Sequence, residues 1–148
     1  RLVGSEMCIR DRVNGKKIKV INDSKSTSFS STQELIDTKK KTFWILGGLP
    51  KKGDKFTLSK KDCFNLRAYI FGKNAEFFVK RLKDKVHYQK FNNMISAIKK
   101  IKIDFKKEQM SNEKIILFSP ASASFDNFKN FEERGRYFNQ LLKKYINA

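Results

Sequence analysis

Cysteine, histidine and arginine are scarce in this chain, and each scarcity closes off a class of function. There are two cysteines among 148 residues, Cys8 and Cys63. They stand in no metal-ligand or redox spacing, so no disulfide scaffold is expected and a reducing compartment is. The one histidine, His87, lies in a stretch that reads as a strand and is given a structural role. No His/Cys metal cluster, no Ser/His/Asp set in a suggestive context and no GxxxxGK[ST] phosphate loop is present. No apolar run approaches the roughly eighteen residues that a membrane span needs. The first residues include Glu6 and Asp11 without a sustained apolar core, unlike a secretory leader. Together these absences predict a cytoplasmic protein with no membrane partner.

Phenylalanine and lysine, in contrast, are plentiful. Hydrophobic residues make up 39% of the chain, 14 of them Phe, which suits one domain with a single core at this length. Lys and Arg number 33 against 15 Asp and Glu, a net charge of +18. Such a field attracts polyanions, and a basic nucleic-acid-binding module is the alternative reading. Two features count against it. Only seven of the 33 basic residues are Arg, the side chain that base-edge and bidentate phosphate recognition favour. The lysines are also scattered in twos and threes, with no dense block. An anionic small molecule would benefit from the same field.

In chain order, residues 1–12 have neither helical nor strand periodicity and resemble translated sequencing-adaptor sequence. They are expected to be foreign to the fold and poorly ordered. The domain proper is expected over 13–148, starting near the turn signal Asn14-Gly15. Residues 16–21 read as a first strand, followed by the polar loop Asn22-Asp-Ser-Lys-Ser-Thr27. Ser31 and Glu34 have capping-box spacing, which predicts a helix over 32–39. Further strands fit 42–46, 67–71, 86–88 and 114–118. Asn74 is placed to cap a helix burying Ala75, Phe78 and Leu82. Phe91, Met94, Ile95, Ile98 and Ile101 mark another helix. Phe128, Phe131, Phe138, Leu141, Leu142 and Tyr145 mark a last one.

Strands alternating with helices, each strand an apolar run, predict an α/β fold: a Rossmann-like, mostly parallel sheet with helices on both faces. Right-handed crossovers then gather the loops after the strands along one edge, where ligands bind in such sheets. Three of those loops carry chemistry: 22–27, 47–51 and 119–124. The last leads from a strand through small and hydroxyl residues into a helix, whose N-terminus suits a carboxylate or phosphate. Plainer readings exist for each. Gly47-Gly48 can be a tight strand exit, Thr27 a cap, Lys51 a solvated side chain, and Asp126 the cap of an ordinary strand-to-helix connection.

Asn22-Asp-Ser-Lys-Ser-Thr27, then Gly47-Gly48, then Ser119-Pro-Ala-Ser-Ala-Ser-Phe-Asp-Asn-Phe-Lys-Asn-Phe-Glu-Glu-Arg-Gly135, in this order and spacing, resemble the Mur ligases of peptidoglycan synthesis. Within that family the likeness favours the member that adds D-glutamate. Sibling Mur ligases tend to carry a His-containing motif after the first strand, where this chain has Asp23-Ser-Lys25. The resemblance runs from about Asn14 to the C-terminus and corresponds to the C-terminal domain of a three-domain enzyme.

That family resemblance implies ATP-dependent amide synthesis: the carboxylate of UDP-N-acetylmuramoyl-L-alanine is phosphorylated, and the amine of D-glutamate attacks the acyl phosphate. It implies that Thr27 and Lys51 hold one D-glutamate carboxylate, while Ser124 and the backbone N–H of Phe131 hold the other. Phe125 would line the site, Lys25 would face the anionic substrate, and Asp23 would contact the ATP ribose. Lys52 stays open as an alternative to Lys51, which the spacing favours. The phosphate loop, magnesium ligands and modified lysine of the family belong to a central domain not found here. The fragment is therefore expected to be inactive alone and to bind neither ATP nor magnesium by itself, its natural partners being the enzyme's N-terminal and central domains. A His-Arg pair that the family places before the first strand is also lacking.

Overall fold

Along residues 43–46 successive side chains go to opposite sides. Phe43 and Ile45 enter one apolar cluster, Trp44 and Leu46 a second. That alternation places an apolar layer on each face of a sheet and calls for helices on both. A computed structural model describes residues 7–13, 16–25, 27–36, 38–107, 114–123 and 130–146. In chain order its elements are β1 (Met7–Val13), β2 (Lys16–Asn22), α1 (Phe29–Gln33), β3 (Thr42–Gly47), β4 (Leu49–Pro50) and β5 (Leu66–Phe71). There follow α2 (Ala75–Leu82), β6 (His87–Phe91), α3 (Met94–Lys107), β7 (Lys114–Phe118), β8 (Ser122–Ala123) and α4 (Phe131–Tyr145).

The main sheet has the order β1-β2-β7-β3-β5-β6, and β4 pairs with β8 in a separate two-stranded piece. Strands β2, β7, β3, β5 and β6 are parallel to one another, and β1 is antiparallel to β2. The Rossmann-like α/β architecture expected from the sequence is what the chain adopts. One cluster packs α3 and α4 against Ile18, Val20, Phe43, Ile45, Tyr69, Ile116 and Phe118. The other packs α1 and α2 against Ile21, Trp44, Leu46, Ile70, Ile115 and Leu117. No described helix is long and apolar enough to cross a membrane.

Three expectations need correction. Residues 7–12, part of the stretch expected to be poorly ordered, form β1 together with Val13, in register with β2 from Met7↔Asn22 to Val13↔Lys16. The signal is a period-two alternation, Met7, Ile9 and Val13 against Cys8, Arg10 and Arg12, interrupted at Asp11. The turn signal Asn14-Gly15 between the two strands lies outside the described residues.

The second correction concerns α1, which starts earlier than the capping box predicts. Ser28 is its cap, its side chain accepting from the N–H of Ser31 at 3.3 Å, and the helix ends by Gln33. Phe29 is the cause. It is fully buried, and its ring meets Phe56, Phe78 and Trp44 edge-on at centroid distances of 5.6, 6.0 and 6.2 Å. Burying that ring and its aromatic contacts outweighs the choice between two serine caps, a matter of about 1 kcal/mol.

In the third, Asn74 occupies the cap position of α2 but makes no side-chain cap bond. Its amide instead donates to the carbonyl of Gly48 at 3.1 Å. At α4 the cap is Asn130, accepting from the N–H of Glu133 at 2.8 Å, whereas Asp126 lies outside the described residues.

Gly47 ends β3 with φ +151°, and a Cβ there would stand 2.2 Å from the carbonyl oxygen of Phe71 on β5. The strands can pair to their ends only because that position has no side chain. Gly53 also has a positive φ, +83°, but open space around it. Gly47→Ala should therefore lower unfolding stability by about 2–4 kcal/mol, against roughly 1 kcal/mol for Gly53→Ala. Urea denaturation of both variants checks this, and equal losses would contradict it.

Candidate functional site

The position of β7 decides where the functional loops lie. It is inserted between β2 and β3, parallel to both. The segments leaving the three strands, 23–28, 48–51 and 119–123, therefore emerge side by side at one edge of the sheet. Backbone bonds continue the pairing past the strand ends. The N–H of Asp23 donates to Phe118 O at 2.7 Å, that of Ser119 to Ile45 O at 3.3 Å, and that of Gly47 to Pro120 O at 3.3 Å. Beyond them, β4 and β8 pair Leu49 with Ala123 and Pro50 with Ser122. Ala121, between these contacts, takes the left-handed φ of 56° while fully buried.

Ser119 is the centre of this knot. It is fully buried and each of its polar groups is engaged. Its carbonyl accepts from the Trp44 indole N–H at 2.7 Å. Its hydroxyl donates to Asp23 Oδ2 at 3.2 Å and lies 2.7 Å from Thr32 Oγ1. Either hydroxyl can be the donor between Thr32 and Ser119, and the Thr32 hydroxyl also donates to the carbonyl of Ser28 at 3.3 Å. One serine thus links the exit of β2, the end of β7, the indole of β3 and helix α1.

Helix α4 is held to the same place by a buried charge. Arg134 is 1% exposed, on the stripe that also carries Phe138, Leu141 and Leu142. Its Nη2 donates to the carbonyl of Ser24 at 2.7 Å and its Nε to the Ser24 hydroxyl at 3.2 Å. Burial brings its pKa down to about 10, and the Asp23 carboxylate pulls the other way. The guanidinium stays charged at neutral pH. One residue on, Gly135 lets the helix approach closely: a Cβ there would lie 3.1 Å from Ser24 Cβ. The Asn22 amide donates to Gly135 O at 2.9 Å and to Asn139 Oδ1 at 3.0 Å.

Against this frame the residues singled out from the sequence fall as follows. Asp23 is buried beside Ser119 and Arg134. Lys25 and Thr27 are exposed on the loop after β2, Thr27 directly before the Ser28 cap. Lys51 and Lys52 are exposed directly after β4. The Asp54 carboxylate accepts from the N–H of Phe29 at 2.7 Å, which ties the turn after Lys51 to the segment after Thr27. Ser124 and Phe125 lie outside the described residues. Phe131 begins α4, so its backbone N–H stands at the positive end of the helix dipole. His87 is exposed and opens β6, at the other end of the strands. Among the described residues no three His, Cys, Asp or Glu side chains are grouped to hold a metal ion.

The edge thus combines exposed ammonium and hydroxyl groups with a helix N-terminus above a buried polar knot. Such a surface can receive a small anion with more than one charged end. Sequence reasoning missed Ser119, Thr32, Asp54 and Arg134. For Arg134 a signal exists: a charge at a core position of an otherwise apolar helical stripe. Arg134→Lys keeps the charge but loses the two-pronged grip on Ser24. It should cost about 1–3 kcal/mol and shift the amide resonances of residues 22–25. Exposed Arg136→Lys should do neither. Matching denaturation curves for the two variants would contradict this role.

Comparison with known proteins points in one direction. No family model matches the chain. It is similar to the UDP-N-acetylmuramoylalanine–D-glutamate ligase of Wolbachia sp. subsp. Brugia malayi, 36% identical over 138 residues, which is 91% of this chain and 27% of that protein. The enzyme of the same name from Wolbachia pipientis wMel is 38% identical over 83% of this chain and 24% of its own length. That of Nitrobacter hamburgensis is 34% identical over 87% of this chain and 28% of its own length. The chain spans about a quarter of the length of the curated relatives it matches.

Proposed function

The chain is homologous to the C-terminal part of the UDP-N-acetylmuramoylalanine–D-glutamate ligases, and on that premise we propose that it forms the D-glutamate-receiving segment of such an enzyme. The observation that supports this most is the gathering of the three strand exits and the start of α4 around Ser119 and Arg134. A dicarboxylate needs two separate cationic or N–H-rich contacts, and this edge offers both kinds.

In this reading Lys51 and Thr27 take one carboxylate of D-glutamate, through an ammonium and a hydroxyl. Ser124 and the N–H of Phe131 take the other, at the helix N-terminus. Phe125 is assigned to the lining of the site. Fixing both ends leaves the amine free and aimed, so the segment acts by positioning rather than by bond chemistry of its own. Lys25 is assigned to face the anionic acceptor, UDP-N-acetylmuramoyl-L-alanine, and to stabilise charge that builds as the amine attacks its activated carbonyl. Asp23, oriented by Ser119, is assigned to the ribose of ATP.

ATP and magnesium supply the activation of the acceptor carboxylate in this class of reaction. The residues described here do not fit a magnesium or triphosphate site: no metal-ligand cluster is grouped among them and the sequence has no GxxxxGK[ST] loop. We therefore assign magnesium and the triphosphate to the remainder of the ligase, leaving the ribose contact to Asp23, and expect no turnover from this chain alone.

The test is a heteronuclear NMR titration of the 148-residue chain with millimolar D-glutamate. Shifts should concentrate at the amides of residues 25–28, 51–52 and the first turn of α4, with L-glutamate much weaker. Lys51→Ala should weaken binding roughly tenfold or more through one lost charge-assisted contact. If Lys52→Ala has that effect instead, the roles of the two lysines are exchanged. Shifts confined to other surfaces would overturn the assignment.

A further inference from the structure

At the opposite end of the strands from the proposed D-glutamate site lies a concavity of about 760 Å³. Its lining includes Lys60, Lys61, Phe64, Asn65, Lys85 and His87. The segment leading into β5 is tied by its own backbone hydrogen bonds. The N–H of Cys63 donates to Lys60 O at 3.2 Å, that of Phe64 to Lys61 O at 3.4 Å and that of Leu66 to Cys63 O at 3.0 Å. Cys63 and Leu66 are buried on either side, each 1% exposed. Between these anchors Phe64 is held 82% exposed. The Asn65 amide also donates to Thr38 O at 3.1 Å, which fixes the far wall.

We propose that this groove docks an acidic segment of a partner protein, with one apolar side chain seated against Phe64 and its carboxylates meeting Lys60 and Lys61. Charge complementarity carries the assignment. Lys60, Lys61 and Lys85 line the cleft, the Lys85 ammonium also donating to Phe56 O at 2.9 Å, while among the described residues the acids next to them in sequence are Asp62 and Asp84, both exposed. An aromatic held out of the core with lysines in the same lining suits an anchor pocket with a charged rim. Single-stranded nucleic acid would call for several aromatic platforms along a basic track. Here Phe64 is the one phenylalanine lining the groove, whereas Phe29, Phe43, Phe56, Phe71, Phe78, Phe105, Phe118 and Phe138 are buried. The surface is independent of the D-glutamate site, and its failure would leave that reading untouched.

The test uses the whole chain and a short fluorescein-labelled polyglutamate peptide with one central leucine, followed by fluorescence anisotropy at physiological salt. An all-glutamate peptide and oligo-dT serve as comparison probes. The leucine peptide should bind more tightly than either. Phe64→Ser should weaken it roughly tenfold and remove its advantage over the all-glutamate peptide. Lys60→Glu with Lys61→Glu should weaken both peptides, and Lys106→Glu with Lys107→Glu, the same charge change on exposed α3 positions, should leave both unchanged. Equal loss in the two charge variants, indifference to Phe64→Ser, or tighter oligo-dT binding that depends on Phe64 would each overturn the proposal.

Discussion

The structure depends on one strand being inserted between two others and on the serine that ends it. Because β7 runs parallel between β2 and β3, its exit is flanked by theirs for purely topological reasons. Topology alone, however, leaves loops that can splay. Ser119 prevents this by spending every polar group it has on a different neighbour: Ile45, Trp44, Asp23 and Thr32. Its bonds are shielded from water, so losing one would leave a buried partner unsatisfied, which costs more than the bond itself contributes.

The second constraint is the docking of α4. A buried guanidinium is costly unless its charge and donors are met. Here the carbonyl and hydroxyl of Ser24 accept from it, and Asp23 supplies opposite charge nearby. The same interactions fix where the helix begins relative to the loop after β2. A helix N-terminus is useful to a bound carboxylate only if it is aimed, and Arg134 with Gly135 sets that aim. Stability and function are thus tied at one place: the groups that hold the loops together are buried, and those left on the surface, Lys25, Thr27 and Lys51, are the ones proposed to touch ligand.

Much of this was legible in the sequence, for identifiable reasons. Residues 114–118 and 42–46 are apolar runs of strand length, and the period of Phe138, Leu141, Leu142 and Tyr145 is helical. From these the parallel sheet, the helices on both faces and the shared rim follow. Features decided by tertiary packing were not legible. Ser31 has the capping-box spacing, yet the buried ring of Phe29 sets the start of the helix at the Ser28 cap. The alternation in β1 is broken by Asp11 and becomes a strand through its partner β2. Ser119 reads as one more small loop residue, since nothing local reveals that Trp44 and Asp23 converge on it. Arg134 reads as part of a polar stretch until its place on the apolar stripe is counted.

The most direct test of the central claim is native-state amide hydrogen exchange at Asp23, Gly47 and Ser119, whose N–H groups lock the three exits to one another. If Ser119 knots the rim into one unit, these amides should open with a common free energy, and Ser119→Ala should accelerate all three together by roughly tenfold or more. Three different opening energies, or acceleration confined to residue 119, would show that the loops are held separately and contradict the account.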